Sequence, residues 1–364
     1  MLTILHTESS KGWGGQENRI LNEAIGLTQR GARILIAAQA ESGLARRAAQ
    51  QGIPVHLVPM RSNFDFKALA QLRRIMRDEA VDIVNTHSGR DNTLAGLAAK
   101  SLRPRPAIVR TRHLALPITS RFSYTFIPDR IVTVSQYVAG YLIGAGVPPE
   151  KIEAIPTGVD LTRYDPTHTT PSLRAELGLS DDTPLIGTVA ILRRKKGHRI
   201  LLEAIPAVLA QFPKARFVFA GDGPQHANIE KAIAELGLGE QVHLLGLRPD
   251  IPAVLRALDV FVLPTFEEAL GTSFVEAMAM CVPVIGTRVG GVPEVVRDQV
   301  TGLLVNPHDP PDLARAVLAM LSDPARARAM CQAGRALVEQ EFTNDKMCDR
   351  MLQLYTALLA ARGK

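Results

Sequence analysis

At 364 residues the chain exceeds the roughly 100–200 residues of one domain and points to two. Its 46% hydrophobic and 21% charged residues, with 28 Gly and 24 Pro dispersed along it, describe a globular protein with a sizeable core and exclude a low-complexity tract. Net charge is +6, and all the excess lies early: residues 1–165 hold 21 Lys and Arg against 14 Asp and Glu, residues 166–364 hold 21 against 22.

That asymmetry fits an anionic membrane surface, an acidic small substrate or a solvated Arg-bearing face. Nucleic acid fits least, since only 5% of residues are aromatic and no RNA or DNA module is recognisable, and none is expected as a partner. The three cysteines, Cys281, Cys331 and Cys348, match no metal-ligand or redox spacing, so a reducing compartment without disulfides is expected. The start "MLTILHTESS" has neither the basic nor the apolar part of a signal peptide, and no apolar run approaches the ~20 residues that span a bilayer. A cytoplasmic protein is expected.

In chain order, the strand "LTILHT" is followed by an amphipathic helix "ENRILNEAIGLTQRG", then strand "ARILIAAQ", helix "SGLARRAAQQG", strand "PVHLVPM", helix "FKALAQLRRIMRDEA", strand "DIVNTH", helix "TLAGLAAKSL" and strands "AIVRT" and "RIVTVS". Short apolar runs separated by helices of ten or more residues are the pattern of a parallel sheet with crossover helices. The segment at about 160–183 is rich in turn formers, and the alternation then resumes. It runs through "LIGTVAI", "RILLEAIPAVLAQFP", "ARFVFAGDG", "ANIEKAIAELG", "QVHLLG", "IPAVLRAL", "VFVLP", "TSFVEAMAM", "VPVIGT" and "GLLVN". The pattern predicts an α/β protein of two doubly wound Rossmann-like domains, residues 1–165 and 166–343. A helix over about 344–364 is expected to pack back on the first domain. Ligands of such folds bind beyond the carboxyl ends of the strands, in a cleft between the domains.

The loops that would face such a cleft carry the candidate chemistry. "GWGGQE", residues 12–17, precedes a helix whose free amides suit a phosphate, though a tight turn without ligand explains it equally. "RRKKGH", residues 193–198, puts four cations in a row, either as a solvated face or as the positive charge a diphosphate needs. No Asp-x-Asp pair or His/Cys cluster offers protein ligands to a metal, so neither a metal nor another cofactor is expected. In "EEALGTSFVEAMAM", residues 267–280, Ser273 and Glu276 have capping-box spacing. Glu268 has no such structural role; beside Gly271 and Thr272 it suits sugar hydroxyls while amides of the turn hold a phosphate. A hydrolase-type acid and base pair fits less well, because one acid sits in the loop and the other a turn into the helix.

The stretch "PTFEEALGTSFVEAMAMCVPVIGTRVGGVPEVV" resembles the retaining nucleotide-sugar glycosyltransferases of family four, of GT-B fold, in the Glu268–Glu276 spacing and in the Gly-Gly-x-x-Glu that follows. "GGQEN", "THS", "TRH", "VSQYV", "IPTGVDLTRY", "KKGH", "AGDGP" and "VHLLG" extend the resemblance over nearly the whole chain. The resemblance implies a transferase moving a sugar from a nucleoside-diphosphate donor to a glycan or glycolipid acceptor, as in the building of lipopolysaccharide-type envelope glycans. The +7 of the first half fits an acceptor at an anionic inner-membrane surface, which would make the protein peripheral on the cytoplasmic face. Glu276 would bind the donor ribose and Glu268 the transferred sugar. Lys196 and Arg193, with amides around Gly271, Thr272 and Ser273 and with Gly15, would hold the diphosphate. His113 would lie against the donor sugar, and Gly14, Glu17, His87 and Arg90 would belong to the acceptor side. The chain departs from the family at Ile191, where Arg is usual and Arg193 or Arg194 would substitute, and at Thr157, where Asn is usual. A nucleotide-sugar epimerase of the same fold, needing no acceptor, and a non-catalytic two-lobed sugar-binding protein are the competing readings.

Overall fold

A computed structural model describes residues 1–118 and 120–363. The chain divides into two compact units, Met1–Gly158 with Asn344–Lys364, and Val159–Thr343. The division therefore falls before the turn-rich segment and not at 165/166. Val159 already belongs to the second unit: it bridges Thr343, and its N–H donates to the Phe342 carbonyl at 2.8 Å.

The first unit is a seven-stranded, wholly parallel sheet in the order β3-β2-β1-β4-β5-β6-β7. Its strands are β1 (Thr3–Glu8), β2 (Arg33–Ala38), β3 (Val55–Leu57), β4 (Ile83–Thr86), β5 (Ala107–Arg112), β6 (Arg130–Thr133) and β7 (Ile152–Ala154). Every residue of β1 is buried, as expected where helices cover both faces of a parallel sheet. Successive residues serve opposite faces: Ile4 packs with Ile20, Leu27 and Met351, whereas Leu5 packs with Leu72 and Leu94. The helix Asn344–Ala360 buries Met347, Cys348, Met351, Leu354, Tyr355 and Leu358, a stripe at three- and four-residue spacing, into the first of these clusters. Lys364, the end of the expected helix, lies outside the described residues.

The second unit is a six-stranded parallel sheet in the order β10-β9-β8-β11-β12-β13. Its strands are β8 (Leu185–Val189), β9 (Arg216–Ala220), β10 (Val242–Gly246), β11 (Val260–Leu263), β12 (Val284–Thr287) and β13 (Leu303–Val305). Leu201, Leu202 and Ile205 of the helix His198–Leu209 cover Phe217, Phe219 and Val262. The structure adds the helices Gln136–Gly144, Pro310–Ser322 and Pro324–Glu341, begun by Ser135, Asp309 and Asp323 side chains that accept from first-turn amides. Strand order reverses between β1 and β4 and again between β8 and β11. The crevice beyond the carboxyl ends at such a reversal is where this architecture binds ligands.

Candidate functional site

At the β8/β11 reversal three loops are stitched together. The loop after β8 ends in a single 3₁₀ turn, Arg194–Lys196. Its Lys195 carbonyl accepts from Phe266 N at 2.7 Å and from Thr265 Oγ1 at 2.9 Å, and Thr287 Oγ1 donates to the Thr265 carbonyl at 2.6 Å. Two glycines permit this closeness. Gly197 has φ +73°, and a Cβ there would sit 1.9 Å from the Pro264 carbonyl oxygen; Gly290 has φ +54°, and a Cβ there would sit 2.0 Å from that of Glu268. Gly291 N donates to the same Glu268 carbonyl at 3.0 Å, so the Gly-Gly pair fixes the backbone of the acid loop.

That framework sets Lys196 Nζ 2.5 Å from Glu268 Oε2, with side chains 18% and 16% exposed. The two residues assigned from sequence to diphosphate and sugar thus share one place. Next to them begins the helix Thr272–Ala279, with Gly271 in left-handed conformation as its N-cap and no side-chain cap. This overturns the capping box expected from Ser273 and Glu276: the left-handed glycine starts the helix earlier, and Glu276 lies in its second turn. Tyr164 instead hydrogen-bonds the Glu276 carboxylate. Burial pushes the Glu276 carboxyl up to about 7, against the opposing pull of the Tyr164 bond and the Arg163 charge. Arg193 and Arg194 are exposed, make no ion pair among the described residues, and line a cavity of about 460 Å³ with His198, Gln225 and Phe266.

The second group sits in the first unit, at the β1/β4 reversal. The helix Gly15–Gln29 starts at Gly14, again without a side-chain cap, and Glu17 is buried in its first turn. His87 follows β4, His113 follows β5, and His87 Nδ1 lies 3.0 Å from His113 Nε2. His6 of β1 extends the row, with Nδ1 3.0 Å from His87 Nε2. The Asp91 carboxylate accepts from the His87 and Ser88 amides at 2.8 and 2.9 Å and fixes the "THS" turn. Glu8, at the end of β1, accepts from Ser10 N at 2.6 Å and from Gln16; burial, with Asp91 near, pushes its carboxyl up to about 8. Arg90 is half-buried and donates to the Met60 carbonyl at 3.0 Å, which ties one of its nitrogens to the fold. Tyr164, Glu8 and His6 were not singled out from the sequence. Among the described residues no group of three or more His, Cys, Asp or Glu could hold a metal ion.

Two wholly parallel α/β units, each gathering polar side chains at its own strand-order reversal, define the GT-B class of glycosyltransferases. The chain belongs to family four of these: residues 13–163 match the family described as Glycosyltransferase Family 4, and residues 169–337 match Glycosyl transferases group 1. It is 33% identical over 245 residues to a 2-deoxystreptamine glucosyltransferase of Streptomyces kanamyceticus, covering 66% of this chain and 63% of that protein. It is also 33% identical over 239 residues to a GDP-mannose-dependent monoacylated alpha-(1-6)-phosphatidylinositol monomannoside mannosyltransferase of Corynebacterium glutamicum, covering 62% of this chain and 61% of the relative. The chain thus spans less than two thirds of either relative. The crystal structure of a glycosyltransferase from Rickettsia africae superposes with a TM-score of 0.91 over 98% of both chains, at 25% identity.

Proposed function

We propose that the protein transfers a sugar from a nucleoside-diphosphate sugar to a hydroxyl of a glycan or glycolipid acceptor, with retention of anomeric configuration and without a metal. The observation that carries this reading is the Lys196–Glu268 pair beside the uncapped start of the Thr272–Ala279 helix. Amides at such a helix end favour phosphate oxygens, and a fixed cation there stabilises charge that grows as the bond to the sugar breaks. The sugar's anomeric carbon loses the β-phosphate oxygen and gains the acceptor oxygen on the same face, and the acceptor proton passes to the leaving phosphate. Glu276 holds the ribose, Lys196 and Arg193 the diphosphate, Glu268 and His113 the sugar. The first unit takes the acceptor along Gly14, Glu17, His87 and Arg90.

A relative named for a phosphatidylinositol mannoside acceptor supports a lipid-linked substrate. So do the exposed Phe64 and Phe66, flanked by Arg61 and Lys67. Apolar side chains beside cations suit an anionic interface. We place the protein on the cytoplasmic membrane face, building an envelope glycan of the lipopolysaccharide type. No helix among the described residues is long and apolar enough to cross a membrane.

The test has two stages. A thermal-shift screen over nucleoside diphosphates finds the donor base, since a ligand at 100 times its Kd stabilises by about 2.7 kcal/mol. The matching nucleotide sugars are then incubated with and without candidate lipid-linked glycans. Nucleotide release that needs the acceptor is expected; release at the same rate without it would refute transfer and favour the epimerase.

A further inference from the structure

Strands β1, β4 and β5 are neighbours in the first sheet; His6 lies within β1, and His87 and His113 directly follow β4 and β5. The row His6–His87–His113 is buried, with 0%, 3% and 8% of each residue exposed, and joined by two N···N contacts of 3.0 Å. Adjacent rings lie 5.3 Å apart, centroid to centroid. Burial lowers the proton affinity of all three, in agreement with neutral imidazoles.

A neutral imidazole has one N–H and one bare nitrogen, so three in a row can satisfy both contacts in only two ways. Either every ring carries its proton on Nε2, or every ring carries it on Nδ1. In the first state His6 turns an N–H outward from its end of the row and His113 presents a bare Nδ1. In the second His6 presents a lone pair and His113 an N–H.

The group at the His6 end decides between them. Glu23 Oε1 lies 3.9 Å from His6 Nε2, both side chains being fully buried. Glu23 sits where hydrogen bonds converge as donors. Thr111 Oγ1 donates to Asn85 Oδ1 at 2.9 Å, which turns the Asn85 amide nitrogen toward Tyr355 OH at 2.7 Å; Tyr355 OH then donates to Glu23 Oε1 at 2.8 Å. Arg19 Nε stands 3.9 Å from Glu23 Oε2. With the Tyr355 proton spent on Oε1 and the Arg19 guanidinium facing Oε2, Glu23 presents acceptor oxygens to its surroundings. An acceptor oxygen facing a lone pair in a buried site is repulsive and one facing an N–H is attractive. At the other end no group of the protein among the described residues engages His113 Nδ1.

We infer that Glu23 is a positioning residue which, through His6 and His87, locks His113 in the Nε2–H tautomer, so that His113 offers a bare Nδ1 that accepts a hydrogen bond and does not donate one. The ligand consequence rests on the transferase reading: the partner of Nδ1 is a hydroxyl of the transferred sugar. The tautomer itself does not depend on that reading.

The test is ¹⁵N NMR of the full chain labelled at histidine, assigned through His→Gln variants. At neutral pH the expected spectrum has His113 with a bare Nδ1 and a protonated Nε2. A protonated Nδ1 on His113 in the unmodified protein overturns the inference without any variant. In Glu23→Gln, which exchanges an acceptor oxygen for a donor and keeps the shape, His113 is expected to populate both tautomers and sugar transfer to fall on the order of 10²-fold, while Tyr355→Phe, which leaves both acceptor oxygens, keeps the native tautomer. An unchanged single tautomer in Glu23→Gln overturns it as well. Failure to find transfer with any acceptor would instead count against the proposed function and leave the spectra to decide the lock.

Discussion

Glu268→Gln is expected to separate two properties that usually move together. In the structure Glu268 holds Lys196, the cation assigned to the diphosphate, at 2.5 Å. Exposed ion pairs contribute ~0.2–1 kcal/mol, and breaking a buried one costs ~3–5 kcal/mol. At 18% and 16% exposure this pair falls between, at about 2 kcal/mol by interpolation between those limits. A nucleoside diphosphate must compete for Lys196 against that attraction. The neutral amide removes the competitor but keeps the shape, so nucleoside diphosphate without sugar should bind roughly tenfold tighter, a gain of ~1.4 kcal/mol. The nucleotide sugar loses a charged acceptor for its hydroxyls, worth ~1.5–3 kcal/mol, so kcat/KM should fall by roughly 10- to 100-fold. Calorimetry with the free nucleotide and initial rates with the nucleotide sugar measure the two. If the variant binds the free nucleotide more weakly, Glu268 does not compete for Lys196 and the reasoning fails.

Lys196→Ala should lower kcat by ~10²–10³ with little change in melting temperature; near-normal turnover there, with loss in Arg194→Ala, would move the diphosphate to Arg194. Burial holds the Glu276 carboxyl at about 7, so nucleotide affinity should rise as pH rises through 7 and the carboxylate forms, a dependence absent from calorimetry of Glu276→Gln. A carboxyl raised from its ordinary 4.5 costs stability as pH climbs toward 7, so Glu276→Gln should unfold at higher denaturant than the parent at pH 8, by up to ~3 kcal/mol, and show no gain at pH 4. Vesicles of anionic lipid should sediment the protein at low salt, less so as salt rises, and less well after Phe64→Ser with Phe66→Ser; sedimentation indifferent to both would remove the membrane reading.

Much of this was legible because buried parallel strands are written as short, largely apolar runs such as "VFVLP", bounded by glycine and polar loops. β7 was not: three residues pairing only with β6, one of them the exposed Glu153, carry no period. Glu268 and Lys196 were singled out in loops that follow strands, and His87 and His113 through the resemblance carried by "THS" and "TRH". His6 was hidden inside a strand, and its meaning appears only once β1, β4 and β5 are known to be adjacent. The Glu276 partner was out of reach for a different reason: Tyr164 belongs to the segment just after the division between the units, and nothing local links it to a helix so far along the chain. The misread cap shows the limit of spacing rules, since Ser273-x-x-Glu276 fits a capping box while the left-handed Gly271 two residues earlier decides where the helix begins.

Three of the uncapped helix starts lie at the strand-order reversals, where the ligand is expected. Helices beginning at Ser42, Asp65, Ser135, Asp309 and Asp323 receive a side-chain cap. Those beginning at Gln225 and Asp250 receive none, and neither do those beginning at Gly14, Gly197 and Gly271, after β1, β8 and β11. A missing cap costs ~0.5–2 kcal/mol, and these three all follow the strands that flank an order reversal. Capping these ends with Ser or Asp would satisfy the amides that a phosphate is to use, and at Gly271 a Cβ would also lie 2.7 Å from the Phe274 ring. The same logic covers Glu276, held partly protonated by burial, and Arg193 and Arg194, which make no ion pair among the described residues. Each would be relieved by a ligand with diphosphate charge and vicinal hydroxyls, so on the proposed reading the folded protein gives up stability at the positions where a nucleotide sugar would return it.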